Sequence, residues 1–152
     1  MKKLPKISTI RNKAITSIFV LLAMFIMATP AFANTSSWSF LAFYDGRVIN
    51  GKTNGVSHQM TAGALTISGT ITTTAVYGNP PTAKPWYFEV RKWSNNAIVC
   101  TAGPIPVPLL WNQTQSFSKA CGSIPAGKYY LKIWRADADD REVTGSGSLV
   151  TK

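Results

Sequence analysis

The spacing of turn-forming residues from residue 34 onwards is the strongest constraint on the fold. Glycine, proline, threonine and asparagine interrupt this part of the chain about every eight to twelve residues. No window of about ten residues places apolar side chains at the three- and four-residue spacing of an amphipathic helix. Short segments between turns are typical of strands in a β-sandwich. The pattern therefore predicts an all-β chain.

The segment from Leu65 to Val76 gives the clearest evidence for strands. Leu65, Ile67 and Ile71 alternate with serine and threonine, as expected for a strand with one buried and one wet face. Gly69 interrupts the apolar face and predicts a bulge. We expect an antiparallel β-sandwich, Ig-like or jelly-roll-like, of seven to eight strands. The predicted strands are Trp38–Tyr44, Arg47–Asn50 or Val56–Met60, Leu65–Val76, Trp86–Trp93, Ala97–Thr101, Gln115–Ala120, Tyr129–Arg135 and Glu142–Val150.

Asparagine, aspartate and proline predict the connections. Asn95-Asn96 and Asp45-Gly46 are typical of tight turns, because these residues tolerate positive φ. Proline occupies every second position from 104 to 108 and has no backbone donor for a sheet. We expect this piece to be an extended crossover lying on the sheets, held by Trp111 and a disulfide. A proline-rich ligand for aromatic grooves is the alternative.

Residues 1–33 have the pattern of a cleaved signal peptide. Five lysines and arginines precede an apolar run from Ala14 to Ala28, and Ala31-Phe32-Ala33 offers small residues for cleavage. The long lysine-rich leader resembles those of Gram-positive bacteria. We expect a secreted, extracellular protein with one domain over residues 34–152.

The net charge of this domain indicates which classes of molecule it is expected to bind. Five of the sixteen basic residues lie in the leader, so eleven remain against six acidic residues, a net charge of +5. This surplus favours an anionic polymer, a glycan or a membrane surface. It predicts no specific nucleic acid, because the mature part has no dense Lys/Arg cluster.

Two cysteines, Cys100 and Cys121, lie in the predicted domain. An isolated pair in an oxidising compartment predicts one disulfide. Zinc is disfavoured, because His58 is the single histidine.

Two predicted strands turn rings and cations to the same side. On 129–135, Tyr130, Lys132 and Trp134 alternate with apolar residues. On 86–93, Tyr87, Arg91 and Trp93 do the same, with Glu89 among them. If the strands share a sheet, a ligand-binding surface results, because aromatic rings stack on sugar rings and cations bind acidic groups. The alternative is a second small core beneath a loop. The six predicted residues are Tyr87, Arg91, Trp93, Tyr130, Lys132 and Trp134.

Four acidic residues follow this strip. Asp137, Asp139, Asp140 and Glu142 have a spacing that begins like a calcium loop but lacks its glycine and distal glutamate. Calcium is therefore the one candidate cofactor. The alternative is a solvated hairpin tip balanced by Arg135 and Arg141.

The segment Ile124-Pro125-Ala126-Gly127-Lys128-Tyr129-Tyr130-Leu131-Lys132-Ile133 resembles a turn and strand of prepeptidase-type C-terminal modules, which are small secreted bacterial β-sandwiches. The resemblance implies a jelly-roll-like, non-catalytic domain. It covers ten residues, and this chain departs from the family in its positive charge and in having no protease attached.

Catalytic residues are not indicated. His58 follows Ser57, but the nucleophile-elbow pattern lacks its last glycine, so we expect an exposed histidine. Glu89 has an aromatic setting suited to an acid of glycoside hydrolysis, but only Asp45 is offered as its partner and no spacing requires it.

Together these patterns predict a secreted, monomeric, non-catalytic protein that binds an anionic or carbohydrate polymer of the cell envelope. The alternatives are an exported antibacterial or membrane-active effector and an extracellular matrix component.

Overall fold

The computed structural model describes residues 33–78 and 82–152. The predicted signal peptide lies outside these residues, apart from Ala33, and stays a prediction. The described residues form strands and no helix. The nine strands are β1 (Asn34–Ala42), β2 (Val48–Asn50), β3 (His58–Met60), β4 (Gly63–Val76), β5 (Trp86–Lys92), β6 (Ile98–Ile105), β7 (Thr114–Ile124), β8 (Gly127–Trp134) and β9 (Arg141–Thr151).

The strands form two antiparallel sheets that pack as a sandwich, which confirms the predicted fold class. One sheet has the order β1-β9-β4-β7, and the other has the order β2-β8-β5-β6 with β3 also paired to β8. Nine strands form instead of seven to eight, partly because both β2 and β3 are present where one of the two was expected. Among the described residues, no helix is long and apolar enough to cross a membrane.

The core lies between the sheets and follows the alternation of the strands. Leu65, Ile67 and Ile71 of β4 are buried, as predicted, and Trp86, Phe88 and Val90 of β5 face them from the other sheet. The turns at Asn95-Asn96 and Asp45-Gly46 are confirmed by a positive φ at Asn96 and by the Gly46 N–H bonding to the Phe43 carbonyl oxygen at 2.8 Å.

The predicted bulge at Gly69 is wrong, because Gly69 pairs in register with Phe117 and with Gly147. Its function is to leave room for the indole of Trp38, which packs across the middle of the sheet. A Cβ on Gly69 would lie 2.4 Å from Trp38 Cζ2, and one on Gly147 would lie 2.5 Å from the same atom. The register shifts of β4 occur elsewhere, between Leu65 and Thr66 and between Thr73 and Ala75.

One side of the sandwich is closed by a covalent bond. Cys100 on β6 and Cys121 on β7 form the predicted disulfide. Since β6 and β7 are edge strands of different sheets, the bridge joins the two layers.

The proline segment differs from the prediction in two respects. Strand β6 continues through Pro104, which an edge strand tolerates at a bulge. Val107 packs into the core, whereas Trp111 is 67% exposed, and its Nε1–H donates to the Thr74 carbonyl at 2.8 Å.

Candidate functional site

The outer face of β5 and β8 collects the six residues predicted as a ligand-binding surface. The register opposes Tyr87 to Trp134 and Arg91 to Tyr130, with Glu89 opposite Lys132 between them. Trp93 follows the end of β5, and its N–H donates to the Lys128 carbonyl at 2.9 Å. The alternation of the two strands therefore brings rings and cations to one side. We call this surface the outer face.

Two aromatic pairs lie at opposite ends of the outer face. Tyr87 stacks on Trp134 with ring centroids 4.4 Å apart and planes 16° apart. Trp93 meets Tyr130 edge to face at 6.0 Å, and the Lys128 Nζ lies 3.9 Å from the Trp93 ring centre. Trp93 and Trp134 are thus not side by side, since Tyr130 and Trp134 are separated by about 13 Å along β8.

The four rings are not equally accessible. Tyr87, Trp93 and Trp134 are half-buried, but Tyr130 is only 3% exposed. Its hydroxyl donates to Asn96 Oδ1 at 3.2 Å. The Tyr130 side chain points to the outer face as expected, but its ring is covered and only its hydroxyl lies near the surface. The ring therefore has little exposed area on which a ligand could stack.

Glu89 lies between the aromatic pairs and is occupied by two neighbours. Its Oε2 forms an ion pair with Arg91 at 2.6 Å, and its Oε1 accepts the Trp134 Nε1–H at 2.9 Å. Asp45, its nominal catalytic partner, lies in the β1–β2 turn beyond the end of the strands. The structure does not bring these two carboxylates together.

A depression of about 320 Å³ opens on the outer face and has a cationic lining. Three basic side chains, Lys52, Arg91 and Lys132, contribute to it, together with two amides, one hydroxyl and the ring of Tyr130. None of the described residues that line it is acidic. Since Lys132 forms no ion pair within the described ranges, the depression retains positive charge beyond that neutralised by Glu89. The other lining residues are Asn50, Thr53 and Asn96.

Lys52 is the main residue that the sequence reasoning missed. It belongs to the β2–β3 connection, and its Nζ donates to the Trp93 carbonyl at 2.7 Å and to Asn96 Oδ1 at 2.8 Å. Strand alternation carries no information about where this connection folds. The Lys-Thr-Asn-Gly composition at 52–55 indicates a turn, but nothing in it points to β5.

The acidic residues after β8 do not form the predicted calcium site. Within residues 33–78 and 82–152, no group of three or more His, Cys, Asp or Glu side chains is placed to hold a metal ion. Asp139 is fully buried and pairs with Arg135, while its Oδ2 accepts the Lys84 N–H at 2.8 Å. Glu142 accepts the hydroxyl of Thr74. Asp137 and Asp140 are exposed.

Arg135 is the centre of this buried cluster. Its Nε donates to the Gly46 carbonyl at 2.8 Å, its Nη2 donates to the Tyr44 carbonyl at 2.9 Å, and its guanidinium lies 4.9 Å from the Trp86 ring centre. Burial lowers the pKa of Arg135, and the Asp139 carboxylate opposes this. The solvated hairpin tip offered as the alternative is therefore also wrong: Arg135 and Asp139 hold three connections together from the inside.

His58 is buried rather than exposed, which corrects the prediction. It lies in β3, is 2% exposed, and its Nδ1 is 2.8 Å from Ser36 Oγ of β1. Burial lowers the pKa of His58. The histidine thus links the edges of the two sheets on the side without the disulfide.

Exposed apolar side chains concentrate at one end of the sandwich. We call this end, formed by the connections 43–47, 106–113 and 135–140 and the described residues of 77–85, the loop end. Of eleven exposed large apolar side chains in the described residues, all but Val56 and Ile98 lie in it or next to it. The most exposed are Leu109, Leu110 and Trp111, at 61%, 63% and 67%.

No protein-family model matches the sequence, and no curated protein matches it. Among solved structures, the chain is similar to a carbohydrate-binding module of lichenase 5A from Cellvibrio mixtus in complex with cellotriose, with a TM-score of 0.47 and 10% identity over 80% of this chain and 90% of that chain. It is also similar to the VP2 subviral particle of infectious bursal disease virus, with a TM-score of 0.48 and 16% identity over 79% of this chain and 32% of that one.

A third similar structure is the Yersinia pseudotuberculosis-derived mitogen, with a TM-score of 0.35 and 12% identity over 77% of this chain and 86% of that chain. At these scores the three likenesses carry no argument about function. The resemblance of residues 124–133 to prepeptidase-type modules stays a prediction.

Proposed function

We propose that this is an exported, non-catalytic protein that binds an anionic or sugar-containing polymer of the cell envelope through its outer face. The observation that carries the proposal is the cationic depression on the outer face, a surface that also carries two aromatic pairs. Lys52, Arg91 and Lys132 suit phosphate or uronate groups, because cations form charge-assisted hydrogen bonds with such oxygens. Tyr87 and Trp134 form a stacked pair that is half-exposed, which suits the apolar face of a sugar ring.

Two further observations support parts of this proposal. The disulfide fits an exported protein, because thiols stay reduced in most cytosols. A binding rather than catalytic role is supported by Glu89, because both of its carboxylate oxygens are already bonded to neighbours, Oε2 to Arg91 and Oε1 to the Trp134 indole.

The test is retention on purified cell-wall polymer at low and high salt. Replacing Lys52 and Lys132 by glutamine removes two charges from the depression, and we expect affinity to fall by about tenfold or more. The matched control replaces Lys119 and Lys152, two exposed lysines away from the depression, and removes the same charge. Equal losses in both variants would show that net charge, rather than the outer face, retains the protein.

A second candidate function is contact with a membrane, and the loop end is the observation that favours it. Leu109, Leu110 and Trp111 form a firmly held tip, since the Asn112 N–H donates to the Thr73 carbonyl at 2.8 Å and the Thr73 hydroxyl donates to the Pro108 carbonyl at 2.7 Å. Exposed aliphatic and indole side chains together are typical of the membrane interface.

Vesicle experiments separate the two functions. If the loop end contacts lipid, replacing Leu110 and Trp111 by serine abolishes vesicle binding and dye leakage, while the double lysine variant retains both. If the protein binds only polymer, phosphatidylglycerol vesicles stay sealed with the unaltered protein.

A further inference from the structure

The edge of the sandwich opposite the disulfide contains a gap in one sheet. Strand β2 pairs with β8 from Trp134 to Lys132, and β3 pairs with it from Tyr129 to Gly127. At Tyr130 and Leu131 no strand continues the sheet on that side, because residues 51–57 leave it as a loop. A backbone bond from the Gly51 N–H to the Leu131 carbonyl, at 2.8 Å, spans the gap.

A cavity of about 230 Å³ lies at this gap, between the two sheets. Trp38 and Phe40 of β1 form one wall, and Ile49, Leu131 and Ile133 form the other. Four of these five side chains are buried, and Ile49 is partly buried. The cavity is therefore a lined recess in the core, larger than the engineered apolar cavity of about 150 Å³ that binds benzene.

The mouth of the cavity is also apolar. Leu41 and Val56 line it and are 46% and 51% exposed. Exposed aliphatic side chains around an apolar recess are unfavourable in water, and a ligand that covers them recovers that free energy. This is the usual character of a small-molecule site, which is mostly apolar with few polar groups.

The polar groups of the lining restrict the ligand. None of the described residues that line the cavity is a lysine, arginine, aspartate or glutamate; besides the serine at position 39 and the indole N–H of Trp38, the polar side chains are His58 and Asn54. His58 is oriented by Ser36 through Nδ1. Burial lowers its pKa, which favours the neutral imidazole. A charged ligand would find no counter-charge in this recess, whereas an alcohol or phenol would find hydrogen-bonding partners.

We infer that this recess is a binding site for a small uncharged amphiphile, whose alkyl or aromatic body enters between the sheets and whose hydroxyl meets His58 or Asn54. The site is distinct from the outer face. It does not depend on polymer binding, since it lies on the other side of the β2–β3 connection and shares no lining residue with the cationic depression.

A series of primary alcohols from butanol to octanol, titrated into the oxidised protein and followed by NMR, tests the inference. We expect resonances of Ile49, Val56 and Leu131 to shift. Affinity should rise about fourfold for each added methylene, the equivalent of about 0.8 kcal/mol, until the recess is filled.

Matched phenylalanine variants locate the binding. Val56→Phe fills the mouth and should weaken octanol binding by about tenfold or more. Ile98→Phe makes a similar addition on β6, at a side chain that is also 51% exposed, and should leave binding unchanged. Should Val56→Phe lower the melting temperature, Leu41→Trp closes the mouth from the opposite wall. Equal binding by the variants and the unaltered protein, shifts centred on the loop end, or an affinity independent of chain length would overturn the inference.

Discussion

The two halves of the segment 128–142 carry charged side chains in opposite environments. In the first half, Lys128 and Lys132 lie on the outer face of β8, beside aromatic rings and solvent. In the second half, the side chains of Arg135 and Asp139 have no solvent exposure, and they pair with each other. The first half thus forms part of the outer face, and the second half forms a buried ion pair between Arg135 and Asp139, which we call the buried anchor.

The difference lies in what the backbone offers on each side. On a regular strand the carbonyls are used by neighbouring strands, so alternation leaves a lysine pointing to water. In the irregular connection after Trp134, free carbonyls of Tyr44 and Gly46 bond to the Arg135 guanidinium. A buried charge is tolerated where it finds such partners. Clustered charges therefore indicate a binding site only where regular structure keeps them at the surface.

The largest expected effect is on the buried anchor. Asp139→Asn removes the partner of Arg135 and leaves a buried charge uncompensated, so we expect a loss of about 3–5 kcal/mol of unfolding free energy in urea. The control is Asp137→Asn in the same connection, which is exposed and should change stability by no more than about 0.5 kcal/mol. Similar losses for both variants would contradict the contrast between the two halves.

His58 is a buried polar side chain, like those of Arg135 and Asp139, and it should make the free energy of unfolding depend on pH. Its pKa is lowered by burial in the folded state, so the unfolded chain takes up a proton more readily. The free energy of unfolding should therefore not depend on His58 above the pKa of about 6.5 that this residue has in the unfolded chain. It should decrease as the pH falls through that value towards the lower pKa of the folded state. The expected loss is smaller than that of Asp139→Asn.

Urea unfolding between about pH 7.5 and pH 5.5 measures this effect, with His58→Gln as the control that lacks the group. If the variant keeps the slope of the unaltered protein, another group is responsible.

Trp134→Phe tests whether the hydrogen bond between Trp134 and Glu89 stabilises the outer face. The ring can still stack on Tyr87, but the bond to Glu89 Oε1 is lost, and we expect a cost of about 1 kcal/mol. A double-mutant cycle with Glu89→Gln isolates that bond. Additive losses would mean that Trp134 and Glu89 do not interact, and that the face is held by strand pairing alone.

The smallest effect on stability is expected for the half-buried Lys132. Lys132→Gln should change the unfolding free energy by no more than about 0.5 kcal/mol, because its side chain forms no ion pair within the described parts of the chain. Retention on cell-wall polymer should nevertheless fall. A variant that unfolds more easily but binds normally would reverse the roles assigned to the two halves.

The parts of the fold that follow from local chemistry could be predicted from the sequence. Alternation in Leu65–Val76 identified the buried face of β4, asparagine identified the turn before β6, and two cysteines identified the bridge. The sequence also predicts that five side chains on β5 and β8, and that of Trp93 just after β5, point to the same side, because side chains alternate with a period of two along a strand.

What could not be predicted depends on contacts between distant segments. Gly69 is a glycine because the Trp38 indole and the Ser146 carbonyl oxygen occupy the space that its Cβ would need, and His58 is buried because β3 lies beside Ser36 of β1. Lys52 reaches the outer face from a connection with no strand periodicity. The spacing of the acidic residues predicts calcium ligands, because no local pattern shows that the Arg135 side chain points inward and pairs with Asp139.

The Trp38 indole crosses the four-stranded sheet, and the space that it fills is shared with sequence positions 69 and 147. Trp38 occupies the space that side chains at Gly69 and Gly147 would fill, so neither glycine can gain a Cβ while the indole remains. In any set of related sequences a tryptophan at 38 should therefore occur together with glycine at both 69 and 147. A smaller residue at 38 would not by itself free these positions, because a Cβ on Gly69 would also clash with the Ser146 carbonyl oxygen, and one on Gly147 with the Ser68 carbonyl oxygen.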